Sequence, residues 1–205
     1  MAGPFGFFFD AASCSGCKAC QAACKDRNDL PAGVLWRRVF EVAGGSWRKE
    51  GGAWVPDLVA YNISLACNHC EEPACRDACP SNAIAKREDG AVLIDPDRCL
   101  GCRYCEWACP YGAPRYDPAA RRMTKCDFCA EAIARGEAPS CVRACPMRAL
   151  EFGPIEELRR RHGENSEIHP LPSSKITKPS LVVKPHRDAA EARRRAVFVR
   201  NREEV

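Results

Sequence analysis

The chain has 205 residues, 46% of them hydrophobic and 28% charged, a balance that suits a folded protein and excludes disordered or collagen-like chains. No apolar stretch approaches the roughly 20 residues that cross a bilayer, and the opening Met1-Ala2-Gly3-Pro4-Phe5-Gly6 has neither the basic lead nor the apolar core of a secretory signal. The formal charge of +4 counts every cysteine as a neutral thiol, so the basic balance does not by itself point to nucleic acid.

Cysteine is the outlier, at 16 of 205 residues. Such density belongs to secreted disulfide scaffolds, but without a secretory signal, and with most cysteines two or three residues from the next, metal ligation is the expected use. In chain order, Cys14, Cys17, Cys20 and Cys24 form a first group within residues 1–30. Residues 31–66 carry Trp36, Val39, Phe40, Val42, Trp47, Trp54, Val55, Val59, Tyr61 and Ile63 with paired glycines, which predicts a β-rich insertion of antiparallel strands around a glycine turn. The second group is Cys67, Cys70, Cys75 and Cys79; two short strand-like runs joined at Asp89-Gly90 then predict a hairpin. That hairpin sets the third group, Cys99, Cys102, Cys105 and Cys109, back to back with the second, each followed by a short helix, and defines an inner module over 67–114. The fourth group, Cys126, Cys129, Cys141 and Cys145, lies in 115–152, which together with 1–30 is expected to form an equivalent outer module. After Phe152 the composition changes: a short charged helix near Ile155 to His162, a stretch bearing Pro, Ser and Lys from Pro170 to Pro185, and a charged end predict an extended C-terminal tail over 153–205. Arg159 to Arg161 and Arg193 to Arg195 read as a solvated face.

The groups are repeats. An offset of 85 superposes Asp10 on Asp95, Gly16 on Gly101, Ala23 on Ala108 and all four cysteines of group one on those of group three. An offset of 66 carries Pro73, Cys75, Ala78, Cys79, Pro80 and Ala83 onto Pro139, Cys141, Ala144, Cys145, Pro146 and Ala149. The expected fold is α+β: two interlocked two-cluster ferredoxin-like modules, with the insertion and the tail added.

A Cys-x2-Cys-x2-Cys run wraps three thiolates around one compact cluster, and in bacterial two-cluster ferredoxins the fourth cysteine, three residues on, ligates the other cluster. Applied to the hairpin pairing, that rule groups Cys67, Cys70, Cys75 with Cys109; Cys99, Cys102, Cys105 with Cys79; Cys14, Cys17, Cys20 with Cys145; and Cys126, Cys129, Cys141 with Cys24. Four closed [4Fe-4S] cubanes use all sixteen cysteines and leave no open iron for substrate. Zinc would explain an isolated pair such as Cys126 and Cys129, but not the four-fold Cys-x3-Cys ending. Gly16 and Gly101 suit a loop too tight for a β-carbon, and Pro80, Pro110 and Pro146, each following a fourth cysteine, suit helix starts. His69 is expected beside a cluster or at the surface, not as a ligand; His162, His169 and His186 have no ligand spacing. Lys18, Arg98, Arg103 and Lys125 adjoin ligands, where positive charge favours a reduced cluster.

With these motifs the chain resembles the four-cluster iron-sulfur subunits of the molybdopterin oxidoreductases, those of dimethyl sulfoxide reductase type. The resemblance rests on Gly6-Phe7-Phe8, Cys67-Asn68-His69-Cys70-Glu71, Lys86-Arg87-Glu88-Asp89-Gly90, Gly101-Cys102-Arg103-Tyr104-Cys105, Cys109-Pro110-Tyr111-Gly112-Ala113-Pro114, Met123-Thr124-Lys125-Cys126-Asp127, Phe152-Gly153-Pro154-Ile155 and Thr177-Lys178-Pro179. It implies a non-catalytic subunit that relays electrons from a quinol-oxidising integral membrane anchor to a molybdopterin catalytic subunit reducing an S- or N-oxide, with no nucleic acid and no small-molecule substrate of its own. It implies peripheral attachment to the cytoplasmic membrane through those partners, on the periplasmic face by co-export, the cytoplasmic face being the alternative. Other readings are the equivalent relay of a formate dehydrogenase or of a polysulfide, thiosulfate or tetrathionate reductase, and a free-standing polyferredoxin.

Overall fold

A computed structural model describes residues 3–205; the first two residues of the 1–30 segment lie outside the described residues. The chain runs β1 (Phe5–Asp10), α1 (Ala19–Arg27), β2 (Arg38–Glu50), β3 (Ala53–Leu65), α2 (Ala74–Asp77), β4 (Ile84–Lys86), β5 (Val92–Ile94), α3 (Tyr104–Ala108), β6 (Arg115–Asp117), β7 (Arg122–Thr124), α4 (Ala130–Ala134), α5 (Ser140–Arg143), β8 (Leu150–Pro154), α6 (Ile155–His162), β9 (Leu181–Lys184), α7 (Ala189–Ala192) and β10 (Val197–Val199). The protein is thus a mixed α and β structure whose regular elements are mostly short.

Phe7, Phe8 and Phe9 are all buried, a run without alternation. The reason is that β1 is a central strand covered on both faces: it pairs antiparallel with β8, Phe7 opposite Phe152, and parallel with β9, Phe7 opposite Leu181. The expected hairpin is present as β4 and β5, with Ala85 opposite Leu93. It links the turn after Cys79 to the loop before Cys99. Strands β8 and β1 stand in the same relation to Cys145 and Cys14, although the chain passes through them in the opposite order. The helices follow suit, with α2 against α3 and α1 against α5.

Strands β2 and β3 pair along their full length and turn at Gly51-Gly52. Their inner halves bury Val39, Val42, Val59, Ile63 and Leu65 against Phe7, Phe9, Leu150 and Val183 in the main core, while Trp47 and Trp54 near the hairpin tip stay exposed.

The stretch after Phe152 does more than lie along the surface. The charged helix α6 forms where expected, with Glu156 and Glu157 in its first turn and Arg159 to His162 in its last, the arrangement that complements the helix dipole. Its apolar Ile155 and Leu158 pack with Phe8 and Val182 in a small second core. Beyond it, β9 completes the β1 sheet and β10 pairs with β2, Val199 opposite Val42. Residues Thr177 to Ser180 also strap the second cysteine group: Glu71 N–H donates to Lys178 O (2.8 Å), Glu72 N–H to Thr177 O (3.1 Å) and Ser180 N–H to Asn68 O (3.0 Å). Arg159, Arg161 and Arg193 to Arg195 make ion pairs near the surface, among them Arg161 with Glu151 at 2.8 Å and Arg159 with Glu71 at 3.2 Å.

Leu158 is fully buried between α6 and the β1 sheet. Leu158→Ala is expected to cost about 2–5 kcal/mol of stability, read as a lower denaturant midpoint of the anaerobically purified protein; an unchanged midpoint would show that the C-terminal segment does not share the core.

Candidate metal centres

All four cysteine groups are built on one local plan. The residue before the second cysteine has a left-handed backbone in each: Gly16 (φ 73°), His69 (φ 44°), Gly101 (φ 67°) and Phe128 (φ 63°). At Gly16 and Gly101 a β-carbon would also lie within 2.6 Å of the Asn62 side chain and 2.5 Å of Arg121 O, so glycine is required there by both conformation and space. His69 and Phe128 accept the strain, of about 1–2 kcal/mol each, and stack on one another with ring centroids 3.5 Å apart. The third cysteine of every group, Cys20, Cys75, Cys105 or Cys141, is then the second residue of a short helix. The helices therefore lie within the groups and not, as expected, after groups two and three.

Pro80, Pro110 and Pro146 do not start helices. Each occupies the second position of a turn closed by Asn82 N–H to Cys79 O (3.2 Å), Gly112 N–H to Cys109 O (3.0 Å) or Arg148 N–H to Cys145 O (3.3 Å), where the fixed φ of proline is favoured. The turn returns the next amide to the cysteine: Ala83, Ala113 and Ala149 N–H donate to Cys79, Cys109 and Cys145 Sγ at 3.3, 3.5 and 3.3 Å. The sequence signal is a thrice-repeated Cys-Pro-x-x-Ala. Group one has no proline, so α1 continues through Cys24 to Arg27, and the side-chain amide of Asn28 approaches Cys24 Sγ instead, at 3.8 Å.

The cysteines meet across groups. One cavity is lined by Cys67, Cys70, Cys75 and Cys109, a second by Cys14, Cys17, Cys20 and Cys145, and a third by Cys99, Cys102, Cys105 and Cys79. Cys24 lies close enough to Cys129 and Cys141 for their charges to interact, as Cys126 does to Cys24 and Cys141. Among the described residues no three His, Cys, Asp or Glu side chains converge on a single ion. The thiols surround hollows, a donor set that fits a polynuclear cluster better than zinc.

The sets adjoin one another. Cys105, Cys79 and Cys99 share a small core with Cys75 of the next set. Cys67 and Cys109 pack with Cys126 of the third. Cys141 interacts with Cys20 of the last. Among the described residues Cys102 and Cys17 are exposed, and Cys14, Cys70, Cys79, Cys99 and Cys109 are half-buried. Around Cys102 lie the exposed Leu100, Tyr104 and Trp107, the last 72% accessible.

Burial pushes the thiols up, Cys14 to about 11 and Cys24, Cys70 and Cys75 to about 12, with neighbouring cysteines adding to the effect. Cys79 goes the other way: burial opposes its ionisation, but hydrogen bonds from Ser81 and the Ala83 amide outweigh it. Sets of buried thiolates need positive charge inside them, which cluster iron supplies. The first cavity also has polar walls: Asn68 Nδ2 has no partner, and Thr177 lies within hydrogen-bonding reach of Cys70 and Tyr111, groups that cluster sulfides and thiolates would engage.

His69 is fully buried; Nδ1 accepts from Val92 N–H at 2.9 Å, and burial holds its pKa well below the usual histidine range, so it is neutral. Lys125 is buried too and donates to Val92 O and to Cys126 O (3.0 Å). Lys18, Arg98 and Arg103 lie nearer solvent, bonded to Glu41 (2.9 Å), Ser81 O (3.2 Å) and Glu106 (2.8 Å). Arg37, which motif spacing does not single out, is 2% exposed and sits among cysteines of two sets.

Residues 58–155 match the family model of the 4Fe-4S dicluster domain. Across its whole length the chain is 49% identical to the B subunit of anaerobic dimethyl sulfoxide reductase of Escherichia coli K12, the full length of that protein included, and 50% identical over the same extent to the probable anaerobic dimethyl sulfoxide reductase subunit YnfG of the same strain. It is 35% identical to the B subunit of polysulfide reductase of Wolinella succinogenes, over 91% of this protein and 97% of that one. The chain belongs to the family of iron-sulfur subunits represented by the B subunit of dimethyl sulfoxide reductase. Its role is electron transfer, not catalysis.

If thiols cooperate across groups, Cys24→Ser should damage the cluster of Cys126, Cys129 and Cys141, although Cys24 is a group-one residue. Electron paramagnetic resonance of the reduced variant would identify the altered cluster; loss confined to the cluster of Cys14, Cys17 and Cys20 would contradict the cross-set geometry.

Proposed function

We propose that the protein relays electrons through four [4Fe-4S] clusters, from a quinol-oxidising membrane anchor subunit to a molybdopterin catalytic subunit that reduces dimethyl sulfoxide or a related S- or N-oxide. The single observation that carries the proposal is that cysteines of different groups meet in adjoining sets, one with Cys102 and another with Cys17 exposed. Each cluster, as a one-electron carrier, would be held by one of the sets: Cys99, Cys102, Cys105 and Cys79 at the quinol end; Cys67, Cys70, Cys75 and Cys109 next; then Cys126, Cys129, Cys141 and Cys24; and Cys14, Cys17, Cys20 and Cys145 at the molybdenum end. The two-module plan of 67–114 and of 1–30 with 115–152 is what brings each fourth cysteine to its neighbour's set. The insertion 31–66 and the segment 153–205 then enclose the middle sets.

The residues do three things in this reading. Thiolates fix the clusters, leaving no site for a substrate. The amides of Ala83, Ala113 and Ala149 stabilise negative charge at the fourth cysteines. Leu100, Tyr104 and Trp107 offer an apolar surface beside Cys102 for the anchor subunit. No helix of the described residues is long and apolar enough to cross a membrane, so attachment would come through partners. We place the complex on the periplasmic face. Similarity over the whole chain favours a sulfoxide reductase over a polysulfide reductase assignment.

Cys102 gives the sharpest test. Cys102→Ser should convert one four-iron cluster into a three-iron cluster, visible in the oxidised complex by electron paramagnetic resonance. Quinol-driven turnover should fall steeply, while turnover from a dye that reduces the catalytic subunit directly persists. Four intact cubanes with undiminished quinol activity would refute both the ligand assignment and the relay order.

A further inference from the structure

Arg37 lies between α1 and β2 and is 2% exposed. Its guanidinium sits over the Phe7 ring, 4.7 Å from the centroid. Nη1 donates to Ser64 Oγ (3.1 Å), and the same hydroxyl lies 3.3 Å from Cys20 Sγ. Nε and Nη2 make no hydrogen bond to oxygen or nitrogen, and the guanidinium lies within hydrogen-bonding reach of Cys141. The cysteines within its electrostatic reach are Cys141, Cys20, Cys126 and Cys24.

A buried guanidinium with two donors that meet no oxygen or nitrogen is costly unless strong acceptors of opposite charge complete its surroundings. Two anionic clusters would do so, and a cation between them favours the reduced, more negative form of each. We propose that Arg37 is a shared counter-ion for the cluster of Cys14, Cys17, Cys20 and Cys145 and that of Cys126, Cys129, Cys141 and Cys24, raising the reduction potential of both. This inference rests on the four-cluster reading above. It assigns Arg37 a positioning role, with Ser64 bridging it to Cys20.

The test is a redox titration of the assembled complex, followed cluster by cluster by electron paramagnetic resonance. Arg37→Gln should lower the potentials of these two clusters, so that at the parent midpoints the ratio of reduced to oxidised form falls about tenfold at each, while the clusters closed by Cys79 and Cys109 stay unchanged. Arg37→Lys should retain most of the parent potential, and Ser64→Ala should shift the Cys20 cluster alone. Equal behaviour of the Gln and Lys variants, unmoved potentials, or a common shift of all four clusters would overturn the proposal. Should Arg37→Gln fail to assemble, Ser64→Ala decides: a potential unchanged at the Cys20 cluster counts against it. Fewer than four cubane signals in the unmodified complex would instead defeat the four-cluster reading; four signals with unmoved potentials would defeat only the role of Arg37.

Discussion

Buried thiols resist ionisation and, once ionised, repel one another, and the fold is arranged around this constraint. Neutral thiols could be buried cheaply but would hold nothing; ionised ones need compensating charge within their set. The structure spends its regular elements on presenting cysteines, so that helices are often four or five residues long and several strands only three. Much of its core is sulfur-lined. Clusters cross-linking the sets would supply what a larger domain gains from continuous hydrophobic packing. The sheets around β1 and β2 are the frame that keeps the sets in register.

The same constraint bears on how thiols of different groups meet in one cavity. If every group closed its own cluster, the chain would form four small loops with little to hold them together. Sharing the fourth cysteine ties segments that are distant in sequence, such as Cys14 and Cys145, into one cavity. The strands that flank those cysteines, β1 and β8, are sheet neighbours for that reason, and β9 from the C-terminal segment seals the other side of β1. Thr177 to Ser180 act similarly at group two, where backbone hydrogen bonds hold a loop that otherwise has few regular partners.

The cysteine groups, the hairpin at Asp89-Gly90, the insertion's strands and the helix at Ile155 were legible because each is a local pattern: fixed spacing, an alternation or a turn dipeptide. Pro80, Pro110 and Pro146 were misread because proline suits both the first position of a helix and the second of a turn; the downstream alanine, whose amide reaches back to sulfur, distinguishes the two. Arg37 was not legible at all. It stands beside a second arginine with no motif spacing, and its significance depends on Cys20 and Cys141 arriving from different elements. Leu181 to Val183 are too short an apolar run to announce a strand, and their partner β1 lies at the opposite end of the chain.

The central claim is that sixteen cysteines form four closed cubane sites. Anaerobic analysis of the native complex for iron and acid-labile sulfide, expressed per copy of this protein after subtracting any contribution from partner subunits, tests it most directly. Four cubanes require about 16 iron and about 16 sulfide with negligible zinc. About 8 of each, with zinc in the remaining cysteines, would contradict it.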